Sequence, residues 1–163
     1  MKRGFTLVEL LVVIAIIGIL SSVVVVAVTS ARARGVDAAI EAQLSQIRNQ
    51  AEIVFSSQGC YNNDQAGAGC GNEFLVGACQ ATAGTIFAAP AVTQMITNAG
   101  NLSLTDAGIG RGTCVESLAD DAWAVSMPLK STPTDSWCVD SLGTSKLETG
   151  LTGAASFSGT KCN

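Results

Sequence analysis

The sequence predicts an α+β protein, with one long N-terminal helix packed on a small C-terminal antiparallel sheet. Three observations carry this. Residues 10–31 form 22 consecutive positions without a charge. Apolar residues then recur at helical spacing as far as Val54, with Gly59 as a natural stop. The last third contains short β-prone runs bounded by Pro128, Pro133 and Gly143. A 163-residue chain has room for one ordinary domain, or a small domain and an anchor.

The first element is the uncharged run. A helix of that length rises roughly 33 Å, enough for a hydrocarbon core of roughly 30 Å. Lys2 and Arg3 precede it and Arg32 and Arg34 follow it, so the positive-inside count does not fix its orientation. A cleaved secretory signal has a shorter apolar core and a small-residue cleavage site, whereas this run carries Val23, Val24, Val25 and Val26 there. A plain membrane anchor fits, and so does a segment that starts in the membrane and later packs in a helical assembly. Glu9 separates these two. A carboxylate at the head of an apolar helix is of no use to an anchor, but a buried anion in an assembly can pair with a cation such as a neighbour's α-amine.

The residues Gly4-Phe5-Thr6-Leu7-Val8-Glu9-Leu10, behind a short basic leader and ahead of the apolar helix, resemble the class III signal of type IV pilins and pseudopilins. The resemblance covers about 30 residues, and it implies a pilin-like fold. It also implies that a prepilin peptidase cuts between Gly4 and Phe5 and methylates the new Phe5 amine. Glu9 then holds the position of the family's assembly glutamate, pairing with the Phe5 amine of an adjacent subunit. Cleavage would create that cation and remove Lys2 and Arg3, charges costly in a packed core. The chain departs from the common pilin pattern in lacking a proline before Pro90. Ser21, Ser22 and the valines that follow could still weaken the helix there. Gly18 and Ser22 make a small-xxx-small pair that would let helices approach closely, although a lone glycine is also simply tolerated in membrane helices.

The second half of the helix is amphipathic. Val36, Ile40, Leu44, Ile47, Ala51 and Val54 form one stripe, and Arg48 and Glu52 are spaced to pair on the polar side. Gly35 costs roughly 1 kcal/mol relative to alanine. The helix is expected from Phe5 to about Ser57, a rod of roughly 80 Å. Half of such a rod must be covered by lipid or by neighbouring copies. The expected organisation is a leader over 1–4, a transmembrane or filament-core helix over 5–31, an amphipathic helix over 32–57, and a disulfide-containing globular head over 58–163.

Within the head, residues 58–85 are rich in turn formers and read as an irregular surface connection. A short helix is expected within 85–99, with Pro90 near its start and Gly100 ending it. Residues 122–127 and 136–140 read as an antiparallel strand pair, and 154–157 as a further edge strand. Trp123 and Trp137 are expected in the core.

The six cysteines, Cys60, Cys70, Cys79, Cys114, Cys138 and Cys162, include no C-x-x-C pair and point to an oxidising, extracytoplasmic setting. Fifteen pairings are open to six cysteines. Nearest-neighbour closure gives Cys60–Cys70, Cys79–Cys114 and Cys138–Cys162, and the last resembles the C-terminal disulfide loop of many pilins. The alternative is that some are free and buried.

Composition narrows the function classes. There is no histidine, which removes Ser-His-Asp and Cys-His nucleophiles and His-based zinc sites. The formal net charge is −4, and the part from Gln58 onward has four basic against nine acidic residues, which argues against direct nucleic-acid binding by the head. Asp120, Asp121, Asp135 and Asp140 read as a solvated acidic face rather than calcium ligands. Asn101-Leu102-Ser103 is a chance-prone glycosylation triplet. No catalytic constellation, metal site or cofactor is expected. The reading is a non-enzymatic structural subunit of a type IV pilus. The alternatives are a pseudopilin of a type II secretion or competence (DNA uptake) system, and an anchored extracytoplasmic binding domain that never polymerises. By resemblance, its partners are copies of itself, other pilins, the prepilin peptidase, an inner-membrane assembly platform and the membrane. Its location would be the cytoplasmic membrane first, then an extracellular pilus or a pseudopilus spanning the periplasm, with the head outside the cytoplasm and a role such as adhesion.

Overall fold

A computed structural model of the chain describes residues 6–62, 70, 75–79, 83–103 and 112–163. Helix α1, Leu7–Gln58, spans 52 residues and about 78 Å. Thr6 caps its start, and Gly59 ends it in the left-handed conformation (φ 80°), where its N–H reaches the Phe55 carbonyl at 2.7 Å. The helix passes through Gly18, Ser22 and Gly35 without a break. Its own chain buries nothing of it before Asp37, then buries Ile40, Leu44, Ile47 and Ala51, with Val36 and Val54 half-buried at the ends of the stripe.

A single 3₁₀ turn, Ile86–Ala88, leads into helix α2, Pro90–Ser103. Proline suits the first helical position because its missing N–H would be unpaired there anyway. Val92, Ile96, Ala99 and Ser103 face the interior. Gly100 does not end this helix as expected. Buried Ala99 and the Ser103 hydroxyl, which donates to the Pro128 carbonyl at 2.6 Å, hold one further turn in place.

The sheet has five antiparallel strands in chain order: β1 Leu75–Ala78, β2 Thr113–Glu116, β3 Trp123–Pro128, β4 Ser136–Asp140 and β5 Ser145–Glu148. The expected pair is β3 with β4, in register from Ala124↔Asp140 to Pro128↔Ser136. Strand β1 lies within the stretch read as irregular. Strands β1, β2 and β5 are four residues each, too short to show a period of two against their surroundings. Residues 154–157 are not an edge strand. A 3₁₀ turn over Gly153–Ser156 precedes a separate two-residue hairpin of β6 (Phe157–Ser158) and β7 (Lys161–Cys162).

The core lies between the two helices and one face of the sheet. Ile40, Leu44 and Ile47 of α1 and Val92 and Ile96 of α2 meet Trp123, Val125, Met127 and Val139. Each such side chain contributes roughly 1.5–3 kcal/mol of transfer free energy. Trp123 is fully buried and meets Tyr61 and Phe87 edge-on at 6.2 and 6.4 Å between ring centroids. Trp137 is only half-buried at the margin of this core, and its indole N–H donates to Ser145 Oγ at 3.2 Å.

Two contacts set the sheet along the helix. Toward the apolar N-terminal half of α1, Asp37 accepts from the Lys130 and Ser131 amides of the β3–β4 loop. Eleven residues on, Arg48 donates to the carbonyls of Asp140 and Thr144 at the β4–β5 turn, at 3.3 and 2.6 Å. The intervening helix rises about 16 Å, close to the length of a five-residue strand, so α1 and β4 run side by side. Arg48 therefore does not pair with Glu52 as expected. Glu52 instead accepts from the Tyr61 hydroxyl at 2.8 Å. Three disulfides join Cys60–Cys70, Cys79–Cys114 and Cys138–Cys162, the nearest-neighbour pairs, and no cysteine is free.

Candidate functional site: the head of the apolar helix

Gly4 and Phe5 lie outside the described residues. The site begins for the structure at Thr6, which forms a reciprocal capping box with Glu9. The Thr6 backbone N–H and hydroxyl both donate to Glu9 Oε2, at 2.9 and 2.8 Å, and the Glu9 N–H donates to Thr6 Oγ1 at 3.3 Å. Among the described residues, the other carboxylate oxygen, Oε1, has no hydrogen-bond partner. Glu9 is thus held by one oxygen and fully exposed. Its side chain is pinned near the helix start, where the N-terminal end of the backbone dipole favours an anion.

Thr6 escaped the sequence reading, although its signal was present: Thr6-x-x-Glu9 ahead of an apolar run is the capping-box pattern. Gly18 has open space around it, and a Cβ built there would meet nothing within 4 Å. Nothing within one subunit calls for a glycine at that place. Ser22, one turn on, folds its hydroxyl onto the Ile19 carbonyl at 2.8 Å, so this face offers little polar group to a neighbour.

The apolar first part of the helix, as far as Arg32, is exposed throughout. Sixteen large apolar residues from Leu7 to Val28 are between 41% and 74% exposed, so their own chain does not cover them. Among the described residues this is one helix long and apolar enough to cross a membrane, and none of its most apolar stretch is buried.

The aspartates expected to form a solvated face do other work. Asp120 and Asp140 are fully buried. Asp140 Oδ1 accepts from the Leu142 and Thr144 amides at 3.0 and 2.9 Å, and Oδ2 from the Cys162 amide at 3.2 Å, so its lone pairs shape the β4–β5 turn and hold the C-terminus. Asp135 accepts from the Gly150 amide at 2.9 Å. Asp121 alone fits the expectation of exposure, and it accepts from Ser117 Oγ. Short-range pattern cannot distinguish an aspartate that caps a turn from one that faces water. The glycosylation triplet lies in the last turn of α2, where Ser103 is buried.

Glu116, which the sequence did not mark, is also fully buried. Burial pushes its carboxyl up to about 9, the Ile86 N–H opposes this by donating to both oxygens, and the charge of Asp120 adds to it. Tyr61 is raised to about 12, by burial first and then by its hydrogen bond to Glu52. Both groups are buried in the globular part, far along the chain from the helix start.

A single long apolar helix, capped by a paired threonine and glutamate and carrying a small antiparallel sheet on its second half, defines a type IV pilin-like layout. The family model for the prokaryotic N-terminal methylation motif matches residues 1–28. The chain therefore carries a prepilin-type signal, like that of type IV pilins and pseudopilins. Neither the curated proteins nor the solved structures include a match to it.

Proposed function

We propose that this chain is a structural subunit of a type IV pilus, made as a membrane precursor, cut between Gly4 and Phe5, and polymerised through its N-terminal helix. The observation that carries this reading is the combination at the helix start: a glutamate bound through one oxygen by Thr6, its other oxygen without a partner among the described residues, leading an apolar rod that is exposed along its length. Cutting after Gly4 would put a new α-amine four residues before Glu9. In a filament the Phe5 amine of a neighbour would approach Glu9 Oε1 away from water, where opposite charges attract far more strongly than at a surface. The exposed apolar residues would then exchange lipid for one another. The methyl group that the motif implies would sit on the Phe5 nitrogen and leave it cationic. The globular part would lie outside the cytoplasm, where three disulfides are stable.

The test pairs mass spectrometry with one substitution. In filaments sheared from cells, the N-terminal peptide is expected to start at methylated Phe5. Glu9→Ala is expected to leave the precursor in the membrane, cut and stable, while filaments are lost. Filaments built from uncut chains, or normal assembly of the Glu9→Ala chain, would overturn the proposal.

A further inference from the structure

The two faces of the sheet are chemically unlike. The helix-side face carries Cys114, Trp123, Val125, Met127 and Val139 against α1 and α2. Register places Thr113, Ser126, Ser136, Cys138, Lys146 and Glu148 on the other face, together with Val115, Ala124, Pro128 and Asp140, so it is largely polar, and all but Thr113 and Lys146 are buried. Among the described residues, the C-terminal segment 149–163 lies over them: its 3₁₀ turn sits against β1, β2 and β3, and β7 against β3, β4 and β5. This segment adds no strand to the main sheet. Its one fully buried residue is Ser156.

The noncovalent hold between segment and sheet is correspondingly small and polar. Ser136 Oγ donates to the Leu151 carbonyl and meets Ser156 Oγ, each at 2.8 Å. The Gly150 and Cys162 amides donate to Asp135 and Asp140. Ser126 Oγ, buried in this layer, has no hydrogen-bond partner among the described residues, and Glu148 Oε1 has no hydrogen bond there but lies 3.4 Å from the Lys146 ammonium. Polar groups buried without partners disfavour the closed arrangement. The Cys138–Cys162 bond fastens the segment to β4 covalently.

We propose that residues 149–163 are a redox-sensitive clasp, closed by Cys138–Cys162, which opens on reduction and bares the polar face of the sheet while the helix-side core stays folded. Cys162 is half-buried and Cys138 fully buried, so a dithiol reductant reaches Cys162 first. Its thiolate attacks Cys162 Sγ and forms a mixed disulfide, and Cys138 leaves as a thiolate that takes a proton from water. The second thiol of the reductant then displaces Cys162, leaving two protein thiols and one cyclic disulfide. Glu148 lies within 4.8 Å of both sulfurs, so the leaving Cys138 thiolate would form beside a carboxylate. That opposes casual opening and favours a deliberate reductant. Cys79–Cys114 differs, because Cys114 belongs to the helix-side core and the bond ties β1's end to β2.

The experiment uses the full chain in detergent, treated stepwise with dithiothreitol and read by thiol alkylation and hydrogen exchange. Once Cys138 and Cys162 are labelled, exchange in 149–163 is expected to rise roughly tenfold or more while β3 and β4 keep their protection, as a local opening does. The Cys138→Ala/Cys162→Ala double variant should show the same pattern without reductant. A segment that stays protected after its bond is reduced, a β3–β4 pair that loses protection together with it, or a double variant that does not fold would each overturn the clasp.

Discussion

Asp37 is charged, lies on the buried stripe of α1, and is 6% exposed. Its carboxylate accepts the Lys130 amide at 2.6 Å and the Ser131 amide at 3.2 and 3.3 Å, so it docks the β3–β4 loop on the helix. Asp37→Ala removes the acceptor for two amides and should cost roughly 1–3 kcal/mol, measured by denaturant unfolding. Glu116 gives a pH signature. Its folded value, about 9, lies above its unfolded one, so the folded state binds the extra proton between them. The stabilisation is complete below the ordinary carboxylate range and is lost as pH rises through about 9. Glu116→Gln cannot ionise and keeps the shape. The wild-type chain should therefore lose stability relative to this variant from about pH 5 to about pH 9. A parallel pH dependence in both chains would refute the assignment.

Elements meet in this fold through close backbone approaches as much as through side-chain packing. Gly112 enters β2, and its carbonyl accepts the Cys79 amide at 2.9 Å just after β1. A Cβ there would come within 2.7 Å of the Ser126 carbonyl and 2.6 Å of the Met127 methyl. The methyl can swing away, but the strand carbonyl cannot. Gly112→Ala should cost roughly 1–3 kcal/mol, seen as a lower unfolding midpoint, whereas Gly18→Ala should leave the unfolding of the single subunit unchanged. The same contrast explains which elements were legible. The stripe of α1 and the β3–β4 pair have enough residues to show their period, and Pro90 and Gly59 mark helix ends by backbone chemistry alone. Strands β1, β2 and β5 become strands because a neighbour supplies the ladder, which a four-residue window does not record.

At the scale of the whole molecule, α1 belongs to two environments. From Val36 onward its stripe is covered by α2 and the sheet, and the apolar stretch before Arg32 is exposed throughout. A chain beginning at Arg32 should therefore fold as a soluble head with an unfolding transition in aqueous buffer, since every residue of the core lies beyond that point. Failure of that fragment to fold without detergent would mean that the anchor contributes to the core. The sequence by itself determined the membrane-length apolar helix, the glutamate at its head, the prepilin-type signal and the amphipathic second half, because each is written in residues within a few turns of one another. Only the tertiary structure decided where the polar groups went: Arg48 to carbonyls more than 90 residues away, Asp37 to the β3–β4 loop, Asp140 to the C-terminus, and the last segment to the second face of the sheet. A hydrogen-bonding side chain is satisfied by whichever backbone group folding brings within 3 Å or so, and no local pattern carries that distance.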